Sequence, residues 1–97
     1  MANTQYGARW VLDTAESVVA TGTFVRIMAL WFVGTSDVDD CILHDGAGKE
    51  IWKCKLGDVS VSGNQSGISF GTAGLVVDGM DLDIIDNGVL YVYLGKL

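Results

Sequence analysis

Proline is absent from this 97-residue chain, histidine occurs once, cysteine twice, and Lys and Arg number 6 against 12 Asp and Glu. Each scarcity excludes something. A net charge of -6 leaves no basic face with which to track phosphates, so nucleic acid is not an expected partner. Lys49, Lys53 and Lys55 are the only basic cluster; sharing strand parity, they read as a solvated strand face. One histidine cannot complete a Cys2His zinc site. That residue, His44, sits beside Asp45 next to a turn and has no serine in a nucleophile-elbow pattern, so it reads as a surface hairpin residue and not a catalytic base. The longest apolar run, Phe24 to Val33, is interrupted by Arg26 and is about half the length of a membrane span. The opening Met1-Ala2-Asn3-Thr4-Gln5-Tyr6 lacks the charged and apolar regions of a secretory signal, so synthesis in the cytoplasm and no membrane partner are expected.

With no proline, punctuation falls to 13 glycines, set between short runs rich in Val, Ile, Phe, Trp and Tyr. This is the pattern of an all-β domain, and 49% hydrophobic content rules out a disordered chain. The expected fold is a single small antiparallel β-sandwich or barrel-like domain over residues 9–97, preceded by an extended N-terminal arm over residues 1–8 with Tyr6 as its anchor. Arg9 to Leu12 reads as a first strand. Asp13-Thr14-Ala15-Glu16 has the spacing of a capping box, but the stretch behind it is too short to decide between one helical turn and a loop. Thr23 to Val33 is the longest strand candidate, apolar at both parities except for Arg26. Later strands are expected at 59–62, 67–71, 74–78, 80–85 and 88–94, the last three separated by Gly79 and by Asn87-Gly88.

The clearest hairpin joins 40–45 to 49–56 through Asp45-Gly46-Ala47-Gly48-Lys49, suited to a type I turn closed by a glycine bulge. Such a turn sets Leu43 opposite Ile51 and Cys41 opposite Lys53, leaving Cys54 on the other face with Trp52. No disulfide is then expected, and both cysteines read as buried free thiols. The acidic clusters, Asp37-Val38-Asp39-Asp40 and Asp78, Asp81, Asp83, Asp86, lack the spacing of a calcium loop. No catalytic, cofactor-binding or metal-binding residue is nominated.

Near the C-terminus stands Asp86-Asn87-Gly88-Val89-Leu90-Tyr91-Val92-Tyr93-Leu94, a turn feeding a strand with no charge on either face. A strand apolar on both faces must be covered on both sides, and so small a domain has little with which to do it. The expectation is a homo-oligomer, a trimer in particular, with Tyr6, Trp31, Tyr91 and Tyr93 as candidate protein-interface residues. Trp10, Trp31, Trp52, Tyr91 and Tyr93 could equally form core packing or a platform for stacking sugars.

Over residues 23 to 94 the chain resembles the small β-rich virion proteins of tailed bacteriophages. The resemblance is carried by Asp40-Cys41-Ile42-Leu43, Asp45-Gly46-Ala47-Gly48-Lys49, Ile51-Trp52, Leu75-Val76-Val77-Asp78-Gly79-Met80 and the 86–94 ending. It implies a non-enzymatic virion structural protein, first of all a capsid decoration (cement) protein that binds the phage major capsid protein and stabilises the shell as an oligomer. A tail, neck or fibre component is the alternative within that class, and a carbohydrate-binding β-sandwich module the alternative outside it. An enzyme ranks third, because no acid–base or nucleophile set can be named.

Overall fold

The computed structural model describes residues 3–34, 40–55, 65–85 and 88–97. They form eight antiparallel strands: β1 (Thr4–Tyr6), β2 (Arg9–Leu12), β3 (Ser17–Gly34), β4 (Asp40–His44), β5 (Glu50–Lys55), β6 (Gln65–Ser69), β7 (Leu75–Ile85) and β8 (Gly88–Gly95). The strands make one sheet in the order β1-β2-β8-β3-β7-β4-β5, and β6 pairs with β3 beside that path. No helix occurs among the described residues. The chain is therefore all-β, as its glycine-punctuated apolar runs predict.

The 18-residue β3 organises the sheet. Its first part pairs with β7, from Ser17 opposite Asp81 to Ile27 opposite Leu75. Its last part pairs with β6 on one edge and β8 on the other. Leu12, Leu90, Val92, Leu30 and Phe32 from the β2-β8-β3 region share one buried cluster with Met80, Leu82, Leu43, Cys41 and Cys54 from β7-β4-β5. The sheet thus coils so that the inner faces of its two ends meet over one core. Each large aliphatic or aromatic side chain so buried contributes about 1.5–3 kcal/mol.

The sequence and the structure differ at instructive places. Residues 74–78 and 80–85, expected as two strands broken at Gly79, are the single strand β7. Gly79 takes φ +77° within it, where the pairing with β3 slips between Phe24–Asp78 and Val19–Met80. A glycine inside a strand can mark a bulge as well as an end. Asp13 to Glu16 is a loop. The Glu16 carboxylate accepts from Asn3 Nδ2 at 2.6 Å, and Asn3 Oδ1 takes the Asp13 and Thr14 amides. Within the expected arm, Thr4–Tyr6 lies down as the edge strand β1, joined to β2 through Gly7 at φ +61°. The expected strand at 59–62, Asp37 to Asp39 and the Asp86-Asn87 turn lie outside the described residues.

Among the described residues long apolar β3 is covered more fully on one face than on the other. Ile27, Leu30 and Phe32 are buried, whereas Phe24 and Trp31 are 53% and 41% exposed.

The turn at 45–49 has the expected form. Asp45 Oδ1 accepts the Ala47 and Lys49 amides at 3.0 and 2.9 Å, and Gly48 sits at φ +89°. Beyond it the register departs from expectation. His44 faces Glu50, but Leu43 then faces Trp52 and Cys41 faces Cys54, because one extra residue of β5 is taken up between the two pairs. The predicted pairings Leu43–Ile51 and Cys41–Lys53 are corrected accordingly. The β4–β7 ladder slips at the neighbouring step, between Ile42–Ile84 and Leu43–Leu82, so an irregularity runs across all three strands. Nothing in the turn residues announces it.

Candidate functional site

Alternation places every second residue of a strand on one face, and cross-strand partners share a face. Tyr6 is paired with Arg9, Arg9 with Tyr93, Tyr93 with Ala29, and Tyr91 with Trp31. Tyr6, Trp31, Tyr91 and Tyr93, expected from the sequence as protein-interface residues, therefore all lie on one face of the sheet. That face is the outer one, since Leu12, Leu30, Phe32, Leu90 and Val92 of opposite parity fill the core. Tyr6 is 59% exposed, Trp31 41% and Tyr93 39%.

Two devices fix the indole of Trp31. The residue opposite it on β6 is Gly67, and a Cβ there would lie 2.1 Å from Trp31 Cε3. The missing side chain is what lets the ring lie against the β6 backbone. Two residues earlier on β6, Gln65 Oε1 accepts the indole Nε1–H at 3.1 Å. Trp31, Tyr93, Gly67 and Ser69 then border an open groove of ≈ 470 Å³. Apolar concavity with a few polar groups at its margin is the usual character of a ligand site.

Arg9 crosses the other half of the face. Its guanidinium carbon lies over the Tyr6 ring at 5.6 Å from the centroid and over the Tyr91 ring at 5.9 Å, within cation–π range. Arg9, Gly67 and Gln65 were not singled out from sequence. The alternation of Arg9 and Val11 with Trp10 and Leu12 is a readable signal for the first. The other two become visible only through a pairing of distant segments.

Trp10 and Trp52, weighed as further members of an aromatic platform, pack half-buried against the core instead. His44 is half-buried, opposite Glu50 on β5 and Asp81 on β7. A smaller hollow of ≈ 290 Å³ lies between the β4–β5 hairpin and β7. Two of its acids are already engaged: the Asp45 carboxylate holds the turn, and Asp78 Oδ1 accepts the Gly22 amide at 2.6 Å. Among the described residues no three of His, Cys, Asp and Glu come together as a metal site would require.

The two cysteines are free and buried. Burial, then the neighbouring Cys54, then Asp40 push the Cys41 thiol from its ordinary value of 9.0 up to about 12. Burial also raises Cys54, while a hydrogen bond with Ser66 pulls it down and Asp40 adds to the rise. A thiol kept protonated is a poor nucleophile and a poor metal ligand.

Fold and face together define a small all-β domain with a preformed aromatic surface. No family model matches the chain, and no curated protein matches it. Among solved structures, the fucose-binding module SpX-3 of Streptococcus pneumoniae superposes with a TM-score of 0.41 at 13% identity, over 98% of this chain and 71% of that one. A second structure of a fucose-binding module from Streptococcus pneumoniae gives 0.40 at 14% identity, over 92% of this chain and 63% of its own. At this distance the likeness carries no ligand across.

Proposed function

We propose that this chain is a non-catalytic carbohydrate-binding β-domain whose outer aromatic face receives a saccharide. One observation carries the reading: Trp31 and Tyr93 stand exposed beside a groove on the same face, and the indole is held in place before any ligand arrives by Gln65 and by the absence of a side chain at Gly67. Aromatic π-faces attract the polarised C–H groups of a pyranose, and a ring already fixed loses little entropy on binding. The test is a glycan array probed with the intact protein, followed by titration of the best ligand against wild type, Trp31→Ala and Tyr93→Ala. Binding that survives both substitutions removes the reading.

A second reading is a virion structural protein that works as a homo-oligomer, a trimer in particular, on a phage capsid shell. It is favoured by a separate apolar exposure. Phe24 and Val76, on adjacent strands and of the same parity, are 53% and 44% exposed. Exposed apolar patches serve protein contacts. Sedimentation at micromolar concentration separates the two: a stable monomer that binds glycan supports the first, and a glycan-blind trimer supports the second.

A further inference from the structure

The chain carries twice as many acidic as basic residues, yet the outward register positions around Arg9 and the Trp31 groove carry none of the acids; the first on this face is Asp78, beyond Arg26 and opposite Phe24. The outward parity runs Thr4 and Tyr6 on β1, Arg9 and Val11 on β2, Val89, Tyr91 and Tyr93 on β8, Ala29, Trp31 and Val33 on β3, and Gln65, Gly67 and Ser69 on β6. The formal charge in that set is Arg9, and the parity continues through Gly95 to a second cation, Arg26. The chemistry of Arg9 is left half used. The contacts over Tyr6 and Tyr91 set the face of the guanidinium on the π-clouds of the two rings and use none of its N–H donors, and among the described residues the Arg9 side chain makes no hydrogen bond or ion pair. Arg26 is the contrast: its guanidinium donates to the carbonyls of Lys96 and Ala73 and is consumed by the fold.

We infer that the saccharide received by this face is acidic, a pyranose bearing a carboxylate, and that Arg9 is the residue that selects it. This rests on the carbohydrate reading above. The guanidinium is a planar fork of donors that matches a carboxylate with two parallel bonds, which a neutral hydroxyl cannot reproduce. Its two tyrosines fix the fork without competing for its hydrogens. Arg9 is the direct cross-strand partner of Tyr93, which borders the groove beside Trp31. A sugar ring stacked on the groove aromatics therefore brings a ring substituent toward Arg9. The strongly negative remainder of the chain repels an anion from elsewhere on the surface, so charge directs the ligand to this face.

The experiment uses the full chain and matched sugars that differ in the acid alone: trigalacturonic acid and its methyl ester, sialyllactose and its methyl ester, with a sulfated lactose as a third arm. Binding is followed by the indole N–H resonances in two-dimensional NMR. The acid member of at least one pair is expected to bind about tenfold or more tighter than its neutral twin, the scale of one charge-assisted hydrogen bond. Arg9→Gln is expected to erase that preference while leaving the weak neutral binding intact, and Arg9→Lys to keep part of it. The preference is also expected to shrink between about 0.02 and about 0.5 M NaCl, as screening requires. Acid and neutral twins that bind equally overturn the selection by Arg9 and leave the carbohydrate reading standing. Sulfated lactose binding as tightly as the best carboxylate overturns the carboxylate assignment. If no member of either pair moves the Trp31 indole resonance, both readings fall together.

Discussion

Cys41 on β4 and Cys54 on β5 are direct cross-strand partners, both in the buried core and both reduced. Directly paired strand residues have Cα atoms about 4.5–5.5 Å apart, inside the range a disulfide can bridge. Burial, which pushes the Cys41 thiol up to about 12, keeps it protonated and so slow to attack an oxidant or a disulfide.

The pH dependence of stability follows with a definite sign. The folded pKa of each thiol is raised, so its contribution is fully present below the unfolded value near 9 and is lost as pH climbs toward the folded value. Over that window the Cys41 thiol, held protonated, lowers stability by about 1.4 kcal/mol per pH unit. Urea midpoints of wild type are expected to fall more steeply above pH 9 than those of Cys41→Ala. Parallel slopes would contradict the assignment. At pH 8 the native protein should react with a thiol reagent only at the rate at which β4 and β5 open.

The aromatic face yields a split between binding and stability. Truncation of a central aromatic contact costs about 2 kcal/mol or more of binding, about 30-fold in Kd. Trp31→Ala and Tyr93→Ala should therefore lose ligand while their strand-type circular dichroism and melting temperature stay close to wild type, since both side chains are substantially exposed. Unfolding of either variant would mean that the ring supports the core.

Gly67→Val tests the fixed indole. A Cβ at this position meets both the Trp31 ring and the Leu30 carbonyl, so the indole is expected to swing away and lose its bond to Gln65. The readout is a shift of the Trp31 Nε1–H resonance with weakened ligand binding, and the pairing of β6 with β3 loosens at the same time. An unmoved indole resonance removes Gly67 from the site.

Gly79→Ala bears on the core and not on the ligand. The residue needs φ +77°, and an added Cβ would meet the Gly46 backbone at 3.0 Å. A loss of about 1–3 kcal/mol is expected from the backbone conformation, read as a lower urea midpoint with unchanged slope. Leu43→Ala, fully buried, is expected to cost about 2–5 kcal/mol.

Deletion of residues 1–6 removes β1 and with it the Tyr6 ring beneath Arg9. The core lies in β2 to β8, so the shortened chain should fold. It should also lose part of its ligand affinity, because one of the two rings that steady the guanidinium is gone. Equal Kd values for the two chains would take Tyr6 out of the site.

Local signals were the legible ones. Arg9–Leu12 is both the expected first strand and β2, and the Asp45 turn has the geometry its residues call for. Cys41 and Cys54 were misplaced by one residue, because the extra residue beyond Glu50 answers to packing across β5, β4 and β7, not to the turn. Two strands apolar at both parities, and an aromatic in a polar arm, nominate Trp31, Tyr91, Tyr93 and Tyr6. That they share a face is a property of four register relationships between distant segments, which no local pattern encodes. Arg9 read as one polar residue in a short strand until Tyr6 and Tyr91 were found on either side of it.

The pairing of β3 has a consequence for how the chain acquires its structure. Every neighbour of β3 in the sheet comes from the C-terminal part of the chain: β6, β7 and β8. Among the described residues the β1–β2 hairpin reaches the rest of the sheet only through β8. During synthesis β3 can therefore pair with β6 and β7 as they appear, whereas the β1–β2 hairpin must wait for β8 before it joins the sheet. Such non-local closure places folding in the millisecond-to-second regime. A message truncated just before β8 would yield a product whose first hairpin has no sheet to join, a species suited to capture by chaperones and proteases.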